Sequence, residues 1–293
     1  MARILSALAA TLTIGVTSAV LSAPAGAEPH IQPVGSVSIP EGPATAWIVA
    51  DMDTGQVLAG KEMYQPHPPA STIKTLLALT ALDELNLDST VVASPADTRV
   101  ECSCAGIKPG HTYTARQLLD ATLLVSGNDA ANTLADMLGG YDVAVDKMNA
   151  KAASIGASNT HATSPSGLDG PGGAGWTTPH DLAAIFRAAM ANPVFAQITA
   201  EPAAPFPTDT GERMLVNQNE LLARYPGAIG GKTGFTDAAR KTYVGAADRD
   251  GRRLVIAMMY GLVHEGGPTY WDQATMLLDW GFAQNRSESV AAL

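Results

Sequence analysis

The stretch GGKTGFTDAARKTYVGAADRDGRRLVIAMMY, residues 230–260, decides the fold. It reads as three consecutive strand-like runs, Lys232 to Thr236, Arg240 to Ala247 and Arg252 to Tyr260. β-Formers such as Phe235, Tyr243, Val244, Val255 and Ile256 recur in them. Asp248-Arg-Asp-Gly251 is a hairpin turn between the last two. Strands joined this closely must be antiparallel, because a parallel pair needs a crossover of about a dozen residues or more.

Upstream, residues 45–62 predict another hairpin, with Asp53-Thr-Gly55 as its turn. A helix is predicted to start close to Ser71, and its run from Thr75 is apolar nearly all round, as in a buried central helix. Thr114 and Gln117 form a capping-box pattern before a helix from Ala115 to Val125. Gly127 interrupts, and a helix resumes from Asp129 to Leu138, ending at Gly139-Gly140. Residues 141–156 are predicted helical, and so is Pro179 to Met190, with Pro at its first position. Residues 90–112 and 200–212 read as irregular, and 214–224 as a short strand or helix. The Ser/Gly/Pro-rich segment 158–176 is a long loop, a kind that is usually functional in a compact domain. A closing amphipathic helix is predicted from Thr269 to Gly281. Two strands, a helical block, three strands and a helix make an α+β chain.

Composition narrows the function. Apolar residues make up 46% of the chain, as in a globular protein. The formal charge of −10 argues against nucleic acid and anionic lipid as partners. Met1 to Arg3, an apolar run over 4–22 and Ala25-Gly26-Ala27 predict a secretory signal over residues 1–27, so the protein is expected to be extracytoplasmic. An uncleaved membrane anchor is the competing reading of that run. Cys102 and Cys104 are too close for a zinc pair and have no second pair to join. They are either a local disulfide or two loop thiols.

Three short strings carry the chemistry: Ser71-Thr-Ile-Lys74, Ser126-Gly-Asn128 and Lys232-Thr-Gly234. At i and i+3 on a helix, Ser71 and Lys74 share a face, so the amine can take the hydroxyl's proton. Burial and a nearby cation, Lys232, should lower the pKa of Lys74 toward that of a working base. Ser126 and Asn128 sit at a helix break that can aim both into a cleft. Ser126 is placed to relay a proton, and Asn128 offers both a donor and an acceptor. Gly234 permits close approach at a strand. Each string alone has an ordinary structural explanation, respectively a snorkelling lysine, a capping turn and a strand start. Their occurrence together and in order carries the argument.

These motifs resemble those of the penicillin-recognising serine acyl-transferases. From about Ala46 to Gly281 the chain is similar to the low-molecular-mass penicillin-binding proteins of the peptidase S11 type, which are D-alanyl-D-alanine carboxypeptidases. Ser164-Pro-Ser-Gly-Leu168-Asp, Thr177-Thr-Pro-His-Asp181 and the run from Pro226 into Lys232 extend the likeness. The resemblance implies the DD-peptidase/β-lactamase fold. That is a five-stranded antiparallel sheet flanked by helices, with an all-helical subdomain at about 68–200 inserted between strands 2 and 3 of a single domain spanning 28–293. It implies Ser71, Lys74, Ser126, Asn128 and Lys232 as catalytic residues. Thr233, Gly234, Phe235 and Thr236 would be substrate-binding, and the N–H groups of Ser71 and Phe235 would form an oxyanion hole. Peptidoglycan stem peptides would be substrates, β-lactams acylating inhibitors, and no metal or organic cofactor is implied. Some relatives carry an Arg after the last strand that helps bind the substrate carboxylate. Leu262 to Asp272 holds none, only His264, and Arg240 is the substitute in view. Longer relatives add a C-terminal domain and anchor helix. This chain stops shortly after the closing helix and is expected to lack that anchor.

Two other functions compete for these motifs. A class A β-lactamase needs a loop Glu after the second motif, and 158–176 contains none. A cell-wall binding module that has lost catalysis would not need an intact nucleophile and base.

Overall fold

The computed structural model describes residues 30–169, 173–262 and 266–293. The predicted signal segment 1–27 and His264 lie outside the described residues. In chain order, β1 (Ala44–Asp51) and β2 (Gln56–Lys61) form the first hairpin, and a 3₁₀ turn (Ala70–Ile73) runs into α1 (Lys74–Glu84). Next come β3 (Thr90–Val92), β4 (Thr112–Thr114), α2 (Ala115–Leu124), α3 (Asn128–Met137) and α4 (Tyr141–Ser154). They are followed by α5 (Pro179–Met190), α6 (Pro193–Ala200), β5 (Ala203–Thr208), β6 (Gly211–Val216) and α7 (Leu221–Arg224). The chain finishes with β7 (Ala228–Thr236), β8 (Arg240–Arg249), β9 (Arg252–Gly261), α8 (Tyr270–Ala283) and β10 (Ala291–Ala292).

The main sheet is antiparallel, in the order β10-β2-β1-β9-β8-β7. Five of its strands are those expected. The sixth, β10, is a two-residue tail strand, too short to leave a pattern in sequence. Val290 N–H donates to Val57 O at 2.8 Å and Leu293 N–H to Gly55 O at 2.8 Å, covering the β2 edge. The block between β2 and β7 is mostly helical but also carries two ribbons, β3–β4 and β5–β6. Pro202, Pro205 and Pro207 explain why β5 read as loop. Proline is tolerated in a strand that pairs on one side only, and the two-stranded ribbon provides that. Helix α6, capped by Asn192 on Val194 N–H, was also missed.

Both faces of the sheet are buried. Ala46, Ile48, Val244, Val255 and Ala257 face the helical block, whereas Trp47, Val49, Tyr243, Leu254 and Ile256 face α8. This is the alternation that strand geometry requires. Helix α1 is enclosed, with every residue from Lys74 to Ala81 buried. Its all-round apolar sequence therefore matches its central position.

A loop over 101–107 pins the start of α3. The Asp129 carboxylate accepts from the N–H groups of Ala105 (2.7 Å), Gly106 (2.8 Å) and Ile107 (2.9 Å). Cys102 and Cys104 are joined as a disulfide inside this loop, which resolves the alternative left open by the sequence. Asp129→Asn replaces one of these acceptor oxygens with a donor. Because hydrogen bonds to a buried charge are strong, the change should lower the unfolding free energy by roughly 2 kcal/mol in chemical denaturation. An unchanged midpoint would contradict this account of the loop.

Candidate active site

The 3₁₀ turn sets Ser71 at the entrance to α1. Its preceding residue, Ala70, has φ of 47°. Pro69 O accepts hydroxyl hydrogen bonds from Thr72 at 2.7 Å and from Thr242 of β8 at 2.9 Å, tying the turn to the sheet. On the other side lies β7, the edge strand. A Cβ on Gly234 would fall 2.9 Å from Ser71 N, 3.0 Å from Thr72 N and 2.3 Å from Thr242 Oγ1. Only glycine lets the third motif lie against the Ser71 backbone.

Lys74 is fully buried. Its Nζ lies 2.6 Å from Ser71 Oγ, 2.7 Å from Asn128 Oδ1 and 2.7 Å from Ser166 O. Burial pulls its pKa well below the ordinary lysine value; the Lys232 charge adds to this and Asp129 opposes it. A neutral amine has two N–H donors and one lone pair. Donation to Asn128 and Ser166 leaves the lone pair for the Ser71 hydroxyl, the arrangement a general base requires.

Ser126 has φ of 59°, a left-handed conformation costly for a side chain other than glycine. It connects α2 to α3 and turns its hydroxyl toward Lys232, whose Nζ donates to it at 2.9 Å and to Thr233 O at 2.7 Å. Lys232 is buried, and burial lowers its pKa to about 7. Asn128 Nδ2 donates to Glu101 O at 2.7 Å, and its backbone N–H to Ser103 O at 2.6 Å. The disulfide loop therefore fixes the amide that holds Lys74.

A cleft of about 420 Å³ opens over this cluster. Ser71, Ser126, Asn128, Thr233, Gly234 and Phe235 line it together. Lys74 and Lys232 lie beneath its floor. Thr236 stands apart: its Oγ1 accepts from Ala239 N–H at 3.0 Å, and it lines the adjoining cavity with Asp237 and Leu168. Arg240, at φ of 56°, does not line the cleft, whereas its neighbour Lys241 does. Among the described residues no cluster of His, Cys, Asp or Glu could hold a metal ion.

Sequence reasoning missed Ser166 and Thr242. Ser166 acts through its backbone carbonyl, which no side-chain pattern reports. It belongs to the Ser164–Leu168 run quoted above, so the resemblance was the available signal. Gly167 fixes the approach: its φ is 85°, and a Cβ there would meet Ala70 O at 2.0 Å.

Sheet, helical block and lysine-serine cluster define a serine acyl-transferase of the penicillin-recognising type. The chain belongs to the peptidase S11 family of D-alanyl-D-alanine carboxypeptidases, whose family model matches residues 34–261. It is 73% identical over 267 residues to the D-alanyl-D-alanine carboxypeptidase DacB2 of Mycobacterium tuberculosis, covering 91% of this chain and 92% of that one. The crystal structure of a D-alanyl-D-alanine carboxypeptidase from the same organism superposes with a TM-score of 0.89 at 74% identity, over 90% of this chain and 100% of that one. A Streptomyces DD-transpeptidase superposes with a TM-score of 0.78 at 32% identity, over 85% and 100% of the two chains. The protein is thus a serine DD-peptidase, of a family that acts on peptidoglycan peptides and binds β-lactams.

Gly234→Ala should yield a folded protein whose acylation by penicillin is slowed roughly a hundredfold, the scale of a 1 Å misplacement at a reacting centre. Stopped-flow acylation at the wild-type rate would contradict the close-approach argument.

Proposed function

We propose that the enzyme removes the terminal D-alanine from peptidoglycan pentapeptides through an acyl-enzyme on Ser71. The observation that carries this is the Lys74 amine, buried, depressed in pKa and 2.6 Å from Ser71 Oγ. The substrate's C-terminal segment lies along the free edge of β7 as an added strand, with Gly234 allowing close approach. Ser71 Oγ attacks the carbonyl carbon between the two D-alanines while its proton passes to Lys74. The N–H groups of Ser71 and Phe235 receive the developing oxyanion. As the C–N bond breaks, Ser126 hands a proton to the departing amine, and the proton that Lys74 took from Ser71 makes good that loss through the Ser126–Lys232 pair, so that Lys74 is again a neutral amine. Water then attacks the ester carbonyl with Lys74 as base, releasing the shortened peptide and restoring the Ser71 hydroxyl. Asn128 holds Lys74 in place and meets the substrate amide, and Thr233 binds the terminal carboxylate.

The basic start, apolar run and small-residue site of residues 1–27 support export, so the reaction would take place outside the cytoplasm. Among the described residues no helix is long and apolar enough to cross a membrane.

Intact mass after addition of a penicillin tests this reading. A one-to-one adduct that persists for many minutes and is absent in Ser71→Ala is expected, with D-alanine release from a pentapeptide abolished in that variant. Rapid loss of the adduct while penicillin is consumed would instead mean a β-lactamase, and D-alanine release by Ser71→Ala would overturn the mechanism.

A further inference from the structure

We infer that Lys241 binds the substrate's terminal carboxylate and sets the enzyme's preference for peptides with a free C-terminus. The inference rests on the carboxypeptidase reading above, because it assigns a residue to the charged end of that substrate.

A carboxylate entering the cleft passes two acidic side chains. Glu101 and Glu220 both line the walls. Lys232 lies below the floor with its nitrogen engaged by Ser126 Oγ and Thr233 O. With its pKa lowered to about 7 by burial, it has lost much of its charge at neutral pH. Lys241 is the one cationic side chain among the described residues lining the cleft.

Its position fits the task. In the β7–β8 ladder Thr233 pairs with Tyr243 and Phe235 with Lys241. Lys241 is therefore the diagonal neighbour of Thr233 on the same face of the sheet, roughly 7–8 Å away between backbones. A lysine side chain spans that distance to a carboxylate held by the Thr233 hydroxyl. The Lys241 ammonium lies 5.0 Å from the ring centroid of Tyr270, which also lines the cleft. This cation–π contact holds the charge over the cleft wall while leaving its hydrogen-bond donors available. Among the described residues no carboxylate lies within ion-pair distance of it, and nearby Glu220 is engaged by Arg224 at 2.6 Å.

Two acetylated peptides test the inference, one ending in D-Ala-D-Ala with a free carboxylate and the other in its C-terminal carboxamide. Lys241→Gln should lose at least about tenfold in kcat/KM on the acid, as expected for one charge-assisted contact. It should change less than about twofold on the amide, with an unchanged melting temperature. Lys241→Arg should restore most of the preference for the acid, since a guanidinium also stacks on an aromatic ring. Equal losses on both peptides, or no loss on the acid, would overturn the assignment. Should wild-type enzyme cleave the D-Ala–D-Ala bond of neither peptide, releasing neither D-alanine from the acid nor D-alanine amide from the carboxamide, the carboxypeptidase reading itself falls and this one with it.

Discussion

The Lys74 nitrogen sits in a closed pocket among three oxygens, donating to those of Asn128 and Ser166 and facing the Ser71 hydroxyl with its lone pair. These oxygens come from three separate parts of the chain, the 3₁₀ turn, the break between α2 and α3, and the long loop before α5. Each must stay in place or a buried polar group loses its partner, at a cost of about 1–3 kcal/mol. The chemistry and the packing of the helical block are therefore one constraint. The same burial that makes the amine expensive as a cation is what would suit it to the proposed role of base.

The surrounding structure can be read as support for that nitrogen. The Asp129 carboxylate gathers the 101–107 loop, and the loop's carbonyls at Glu101 and Ser103 hold Asn128. Gly167 lets the Ser166 carbonyl approach beneath the turn, and Gly234 brings β7 against the turn from the opposite side. The strained φ of Ser126 places a second hydroxyl within reach of Lys232. Two lysines thus share a low-dielectric floor, where burial lowers the pKa of both and the charge of Lys232 lowers that of Lys74 further. The accessible cleft above is lined by hydroxyls, amides and the exposed Phe235.

Much of this was legible in sequence where a side-chain type and a period coincided. Ser71 and Lys74 three residues apart, the Thr114–Gln117 capping box and the runs of β-formers in β8 and β9 each leave a local signature. The capping box forms as read, with Gln117 N–H donating to Thr114 Oγ1 at 3.1 Å. What could not be read was carried by backbone atoms or by very short elements. The Ser166 carbonyl has no side-chain signature. The two residues of β10 and the three each of β3 and β4 are too few to show a period. The prolines of β5 hid a strand that the ribbon tolerates. Register was equally invisible: that Lys241, rather than Arg240, lines the cleft follows from pairing with Phe235 across a turn.

The central claim is that Lys74 is a neutral amine under working conditions. Carbon-13 NMR of the lysine ε-carbons, with Lys74 and Lys232 identified by their loss in the respective Lys→Arg variants, tests it most directly. The account predicts that Lys74 titrates well below the ordinary lysine value of 10.5, and Lys232 near 7. A Lys74 signal that remains that of an ammonium group up to the ordinary lysine range would contradict it.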